Sequence, residues 1–228
     1  REVIQKSVED PSLIENDKLP FMGFISTNLK GGIPCRIVRI SFSGELGYEV
    51  YILSDYANTM MDLLWKEVQN FNGCLYGLEA LGALRVEKGH VTGAELDGRT
   101  TIEDAGLEKM ASTKKSYIGS AMKKRGVLNS PDREQLVGFY PVNKDQTFDA
   151  GTIVCEKNDI KGFGIGRITS VTHSPELGHW IGIGFVKGGK AKWENTTLIG
   201  SDPVRHKQME LVVVSPHMID PEGKRMHA

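Results

Sequence analysis

A chain of 228 residues, 39% hydrophobic and 25% charged, carries enough apolar material for one large or two modest folded domains, which excludes a disordered polypeptide. Lys and Arg number 28 against 29 Asp and Glu, a formal charge of −1 with no block of like charge, so nucleic acid and anionic membrane surfaces are not the default partners. No apolar run approaches the ~18 residues that a spanning helix needs, and REVIQKSVED is neither a signal h-region nor a transit peptide, so a cytoplasmic location is expected.

The chain opens without an initiator Met on a helical pattern, Val3, Ile4 and Val8, so a preceding segment is expected. Residues 20–52 read as three extended runs: PFMGFISTNL, a Gly31-Gly32 turn, the alternating IPCRIVRISF, and GYEVYIL. Together they predict a three-stranded antiparallel piece. Ser54 and Asp55 mark a helix start, and Met60, Met61, Leu64, Trp65 and Val68 recur at spacings of three and four, a stripe expected to enter the core. A second helix is predicted over LEALGALRVEKG, with Leu78, Leu81, Leu84 and Val86 apolar and Gly89 as its left-handed end. Strands with helices packed on them imply an α+β domain.

Residues 101–126 form a long connection with a short helix expected in SYIGSAMKKRG. The turn formers Asn129, Ser130, Pro131 and Asp132 then place a boundary near 130, giving domains 1–130 and 131–228. Beyond it, QLVGFYPV, GTIVCE, GIGRITSVTH, HWIGIGFV, TTLIG and MELVVV are short β-like runs between turns, which predicts a small antiparallel barrel or sandwich. GFGIGRITS, Gly162 to Ser170, superficially resembles a dinucleotide loop. Its glycines run G-x-G-x-G with no helix after them, so glycines kinking a barrel strand are the reading adopted.

Cys35, Cys74 and Cys155 are far apart with no CxxC pair, which fits reduced, buried thiols. The six histidines show no metal-ligand spacing, and no metal site is predicted. His173 and His179 frame HSPELGH, expected to be an exposed loop. The most informative stretch is RISFSGELGYEV, Arg39 to Val50. Ser43 and Gly44 predict a tight turn with Glu45 at its tip, Gly47 allows close backbone approach, and Glu49 returns onto a strand continuing into Val50 and Ile52. A carboxylate there is costly unless paired. Glu49 either forms a salt bridge, for example to Arg39 or Arg85, or waits for a ligand offering two parallel N–H donors, as the 2-amino-4-oxo edge of a pterin does. Residue chemistry leaves both open.

RISFSGELGYEV resembles the R-x-x-x-[ST]-G-E-x-G-x-E signature of the T-protein superfamily of tetrahydrofolate-binding one-carbon enzymes. The blocks YGLEALGALRVEKGHVTGAELDGRTTIEDAGLEKM, STKKSYIG, SPELGHWIGIGFV and DPVRHKQMELVVVSPHMIDPEGKR resemble its sarcosine oxidase alpha branch, so the likeness spans essentially the whole chain. It implies an N-terminally truncated folate-binding α+β domain followed by a small antiparallel β-barrel, with tetrahydrofolate as cofactor. Glu49 would hold the pterin, with Tyr48, Arg39 and Glu45 shaping the pocket. It also implies that the catalytic aspartate lies upstream of this chain, that flavin and NAD sit in other parts of the full enzyme, and that the partners are other subunits of a sarcosine oxidase complex. Captured one-carbon units would leave as 5,10-methylenetetrahydrofolate.

Two departures separate this chain from the classical T-proteins. Leu81 stands where those place an arginine for the folate tail, four residues before Arg85, and HMIDPEGKRMHA has no counterpart of their C-terminal tyrosine. A stand-alone aminomethyltransferase or a dimethylglycine-dehydrogenase-like tail is the second reading, and a non-catalytic scaffold that docks other subunits is the third.

Overall fold

The computed structural model describes residues 1–160 and 163–228; Gly162, the first glycine of GFGIGRITS, lies outside the described residues. The described chain forms two compact units, one of Arg1–Leu81 with Glu222–Ala228 and one of Gly82–Pro221.

In the first unit, α1 (Glu2–Ser7) and a 3-10 turn at Pro11–Ile14 precede an antiparallel sheet of β1 (Phe24–Leu29), β2 (Ile33–Val38) and β3 (Glu49–Ile52), ordered β1-β2-β3. Lys30, Gly31 and Gly32 close the first hairpin, which pairs Leu29 with Ile33 and Phe24 with Val38. Pro34 is tolerated in the middle strand because β3 pairs only with Cys35 to Val38, so the missing Pro34 N–H interrupts no ladder on that side. Period-two alternation sends Leu29, Ile33, Cys35 and Ile37 into a core with Ile4, Val8, Ile14 and Leu19.

Helix α2 (Ala57–Asn70) covers that face through Met60, Leu63 and Leu64. Met61, expected in the core stripe, is 45% exposed, because it lies about 100° round the helix from Met60 while Leu63 and Leu64 follow on the packed side. The opposite sheet face carries Phe24, Ser26, Asn28, Pro34, Arg36, Glu49 and Tyr51, all exposed.

In the second unit, β4 (Glu134–Pro141), β5 (Ile153–Cys155), β6 (Gly166–Ser174), β7 (His179–Lys187), β8 (Thr197–Asp202) and β9 (Lys207–Val214) close into a barrel of order β4-β7-β6-β5-β8-β9. Its interior is filled by Val137, Phe139, Phe148, Val154, Ile168, Val186, Leu198, Leu211 and Val213. Gly184 shows why glycines recur in these strands: a Cβ there would lie 2.2 Å from the Arg167 carbonyl oxygen of the neighbouring strand. A register shift between Ile168 and Ser170 bends β6 near Gly184's partner, and Gly166 at the start of β6, where a Cβ would lie 2.1 Å from the Phe185 carbonyl oxygen, belongs to the barrel ladder.

A second apolar layer, Val86 with Leu136, Ile181, Ile183 and Phe185, lies outside β4 and β7. Val86 belongs to α3 (Leu78–Lys88), which ends at Gly89 with φ +76°, as its sequence predicts.

Four expectations need correction. SYIGSAMKKRG forms no α-helix: Gly119 at φ +90° breaks the helical path, Ile118 and Met122 find no face to bury, and 3-10 turns at Met122–Lys124 and Gly126–Asn129 remain. Leu78 is not core but 85% exposed. HSPELGH is exposed at His173 and Pro175–Gly178, but His179 is buried, its Nδ1 2.9 Å from the Trp180 carbonyl oxygen. Cys35 and Cys155 are buried as expected, but Cys74 is exposed; all three are free thiols. No helix among the described residues is long and apolar enough to cross a membrane.

Candidate functional site

The segment from Arg39 to Glu49 links β2 to β3 and folds as its residue types require. The Ser41 hydroxyl accepts the Gly44 N–H at 3.0 Å and the Ser43 hydroxyl accepts that of Glu45 at 3.3 Å, the side-chain-to-backbone bonds that make Ser-Gly a tight turn. Gly44 sits at φ +90°, and a Cβ on Gly47 would lie 2.6 Å from the Ile40 carbonyl oxygen, so the loop closes on itself only with glycine at both positions.

The four singled-out side chains divide into two pairs. Arg39 is 2% exposed and donates to Asn16 Oδ1, to the Leu19 carbonyl at 3.1 Å, and to the Met226 and Ala228 carbonyls at 3.4 and 3.0 Å. Glu45 meets Arg225 at 3.0 Å in a half-exposed ion pair. Both tie the loop into its own unit. Tyr48 packs against the first core, and its hydroxyl is buried with no hydrogen-bond partner among the described residues, an arrangement that proteins rarely leave standing. Glu49 is exposed on the open sheet face, where its carboxylate accepts the Tyr51 hydroxyl two residues along the strand. That contact raises the Tyr51 phenol above its usual range, because the hydrogen bond and the neighbouring negative charge both oppose ionisation.

Among the described residues Glu49 makes no salt bridge; Arg39 is committed to backbone carbonyls and Asn16, and Arg85 is paired with Glu95. The carboxylate avoids the burial penalty by exposure, not by pairing. A carboxylate held on a rigid strand, with a neutral hydroxyl as its hydrogen-bond partner, can accept two parallel N–H groups from a ligand edge.

Sequence reasoning missed the polar cluster of the second unit. Glu95 has no solvent-exposed side-chain surface and meets Arg85 at 3.1 Å. Its carboxylate also accepts the Ser170 hydroxyl at 2.6 Å, the Thr169 hydroxyl at 2.7 Å and the Thr92 N–H at 2.8 Å, and Arg85 donates to Ser170 at 2.7 Å. Burial pushes the Glu95 carboxyl up, but the Ser170, Thr169 and Thr92 hydrogen bonds and the Arg85 charge outweigh it and hold the group below the usual carboxylate range. Close by, Glu87 accepts the buried Ser174 hydroxyl and Lys88 meets Asp220 at 3.1 Å.

Comparison with known proteins matches two family models, the first of which runs past Leu81 into the second unit. Residues 1–115 match the GCVT N-terminal domain, and residues 134–220 match the glycine cleavage T-protein C-terminal barrel domain. The chain is 33% identical, over 100% of its length, to "Sarcosine oxidase subunit alpha" of Rhizobium meliloti (strain 1021), of which it spans 23%. It is 32% identical, over 82% of its length, to an aminomethyltransferase of Halothermothrix orenii, of which it spans 51%. The crystal structure of the glycine cleavage system aminomethyltransferase T from Bartonella henselae superposes with a TM-score of 0.73 at 23% identity, covering 91% of this chain and 55% of that one, a likeness of fold.

Proposed function

The chain belongs to the glycine cleavage T-protein family, and from that membership we propose that it is the folate-binding portion of a sarcosine oxidase alpha subunit, capturing the one-carbon unit of oxidised sarcosine as 5,10-methylenetetrahydrofolate. The observation that carries the reading is Glu49: an exposed carboxylate, fixed by the β2–β3 connection, with only a neutral hydroxyl recorded against it.

The residues fit a folate by the chemistry of their donors and acceptors. Glu49 would accept the paired N–H groups of the pterin edge and fix its orientation, while Tyr48, packed against the core, would support the loop that carries it. Arg39 and Glu45 would shape the pocket from behind by holding the loop through Asn16, the Leu19 carbonyl and Arg225. Tetrahydrofolate, when bound, supplies the amine nitrogen that takes up the one-carbon unit. The chain's part is positioning, which makes a bimolecular capture effectively unimolecular and is worth up to roughly 7–11 kcal/mol in well-oriented systems. Oxidation of the amine, with its flavin and NAD, and the catalytic aspartate are assigned to other parts of the full enzyme and its partner subunits.

The test uses the full-length protein assembled with its partner subunits. With tetrahydrofolate present, sarcosine oxidation yields methylenetetrahydrofolate; the Glu49→Ala variant oxidises sarcosine at the same rate but releases formaldehyde. Equal trapping by the two proteins would remove Glu49 from the site. Formaldehyde release by both would point to a subunit-docking scaffold.

A further inference from the structure

The barrel unit ends at Pro221, and Glu222–Ala228 pack as part of the first unit. Asp220 at φ +45° and Gly223 at φ +71° turn the chain there, and a 3-10 turn at Arg225–His227 follows. This tail meets the β2–β3 connection, the loop that carries Glu49, at its entry and again in its middle. At the entry, the Arg39 guanidinium donates to the Met226 carbonyl at 3.4 Å and to the Ala228 carbonyl at 3.0 Å, and Arg1 donates to the same Ala228 carbonyl at 2.5 Å. In the middle, Arg225 meets Glu45 at 3.0 Å. Beside the entry, the His227 ring stands edge-on to Phe21 with centroids 4.7 Å apart. The residues after Phe21 fix the Arg39 backbone in turn: the Met22 N–H donates to the Arg39 carbonyl at 2.8 Å, and the Arg39 N–H donates to the Gly23 carbonyl at 2.9 Å.

Of these contacts, those of Arg39 bind the tail most firmly. Its side chain is buried, no acidic side chain pairs with it among the described residues, and its recorded acceptors are all neutral: Asn16, the Leu19 carbonyl and the two tail carbonyls. A buried cation held by neutral acceptors depends on each of them, and the tail supplies half. The Glu45–Arg225 pair is partly exposed on both sides, so it sets register more than it adds stability. Gly44 and Gly47 let the loop close but give it no stiffness of their own, which leaves the tail and the packed Tyr48 to restrain it.

We propose that Glu222–Ala228 is a clasp on the β2–β3 connection, and that Arg225 and the tail carbonyls holding Arg39 are positioning groups for Glu49. The role toward Glu49 rests on the assignment of that residue to the pterin; the clasp itself does not. With the clasp closed, Glu49 enters β3 from a fixed turn. With it open, residues 40–48 sample more conformations, and a carboxylate displaced by about 1 Å loses its fit to a bidentate ligand edge.

The test uses the full-length protein assembled with its partner subunits, in three variants: deletion of residues 222–228, Arg225→Ala/His227→Ala, and Arg225→Lys. Hydrogen exchange measured without folate should rise at least tenfold over residues 40–48 in the deletion and at least threefold in the double variant. It should stay near the wild-type rate in Arg225→Lys, which keeps the ion pair, and in β4 and β7 of every variant. The KM for tetrahydrofolate in one-carbon trapping should rise at least fivefold in the deletion and the double variant, while kcat for sarcosine oxidation is unchanged. Glu222→Ala, which breaks an exposed pair with Lys224 on the same tail, should alter neither readout. Should the deletion fail to assemble, the double variant carries the test.

Unchanged exchange over residues 40–48 would overturn the clasp, and so would a rise spread equally over β4 and β7, which is a general loss of stability. Faster local exchange with an unchanged KM separates two cases. Where Glu49→Ala raises the KM, the positioning role is overturned; where Glu49→Ala leaves it unchanged as well, the folate reading fails and the local exchange supports the clasp alone.

Discussion

Arg85 and Glu95 meet at 3.1 Å inside the second unit, and the Glu95 side chain exposes no surface to solvent while receiving the hydroxyls of Thr92, Thr169 and Ser170 and a backbone N–H besides. A buried carboxylate so fully partnered anchors the segment after α3 to the bulged strand β6. Glu95→Ala leaves the Arg85 guanidinium without its counter-charge and should cost about 3–5 kcal/mol. Urea unfolding followed by circular dichroism measures this; a change under 1 kcal/mol would show the cluster to be ornamental.

The same carboxylate gives the stability a pH dependence with a definite sign. Glu95 is held below its ordinary range when folded, so the unfolded chain takes up its proton more readily. Its contribution is complete above the unfolded carboxylate value of about 4.3 and is lost as the pH falls through the lower folded value. Urea midpoints measured from pH 6 to pH 3 should fall more steeply for the wild type than for Glu95→Gln. Parallel profiles would contradict the assignment.

Asp104 and Arg133 form a second internal tie. The Arg133 Nε lies 3.0 Å from the Asp104 carboxylate, which also accepts the Thr101 N–H at 2.8 Å, and Arg133 donates to the Arg99 carbonyl at 2.7 Å. A double-mutant cycle of Asp104→Ala and Arg133→Ala should give a coupling of about 1–3 kcal/mol, since the two share one hydrogen-bond network. Additive effects would mean that each acts alone.

Gly184→Ala should destabilise the barrel by about 2–3 kcal/mol, because the added methyl would meet a backbone oxygen that the strand ladder fixes. Gly77→Ala, where an added Cβ meets nothing within 4 Å, should stay within about 0.5 kcal/mol. Thermal melts of the two variants separate close packing from a general glycine effect.

Where local signals agree, the sequence is legible. The Gly31-Gly32 hairpin, the alternation of IPCRIV, the helix end at Gly89 and all six barrel strands are visible because turn chemistry and apolar period point the same way at each. The Ser43-Gly44 turn and the return of Glu49 onto β3 were legible for the same reason. What was hidden depends on long-range pairing. Glu95 finds Thr169 and Ser170 more than 70 residues away, and nothing local marks it as buried. The lysines of 114–115 and 123–124 become one patch only after the chain turns at Gly119. Helical spacing likewise could not tell Met61 from Leu63, because the stripe's edge is set by the sheet it covers.

The most direct measurement is calorimetric titration of tetrahydrofolate into this chain and into its Glu49→Ala variant. Binding by the wild type, weakened by about 2 kcal/mol or more in the variant, is the predicted result, the loss expected when a charged hydrogen-bond partner is removed from a ligand. Equal affinity in the two proteins would contradict the account, because the pterin would then be held elsewhere.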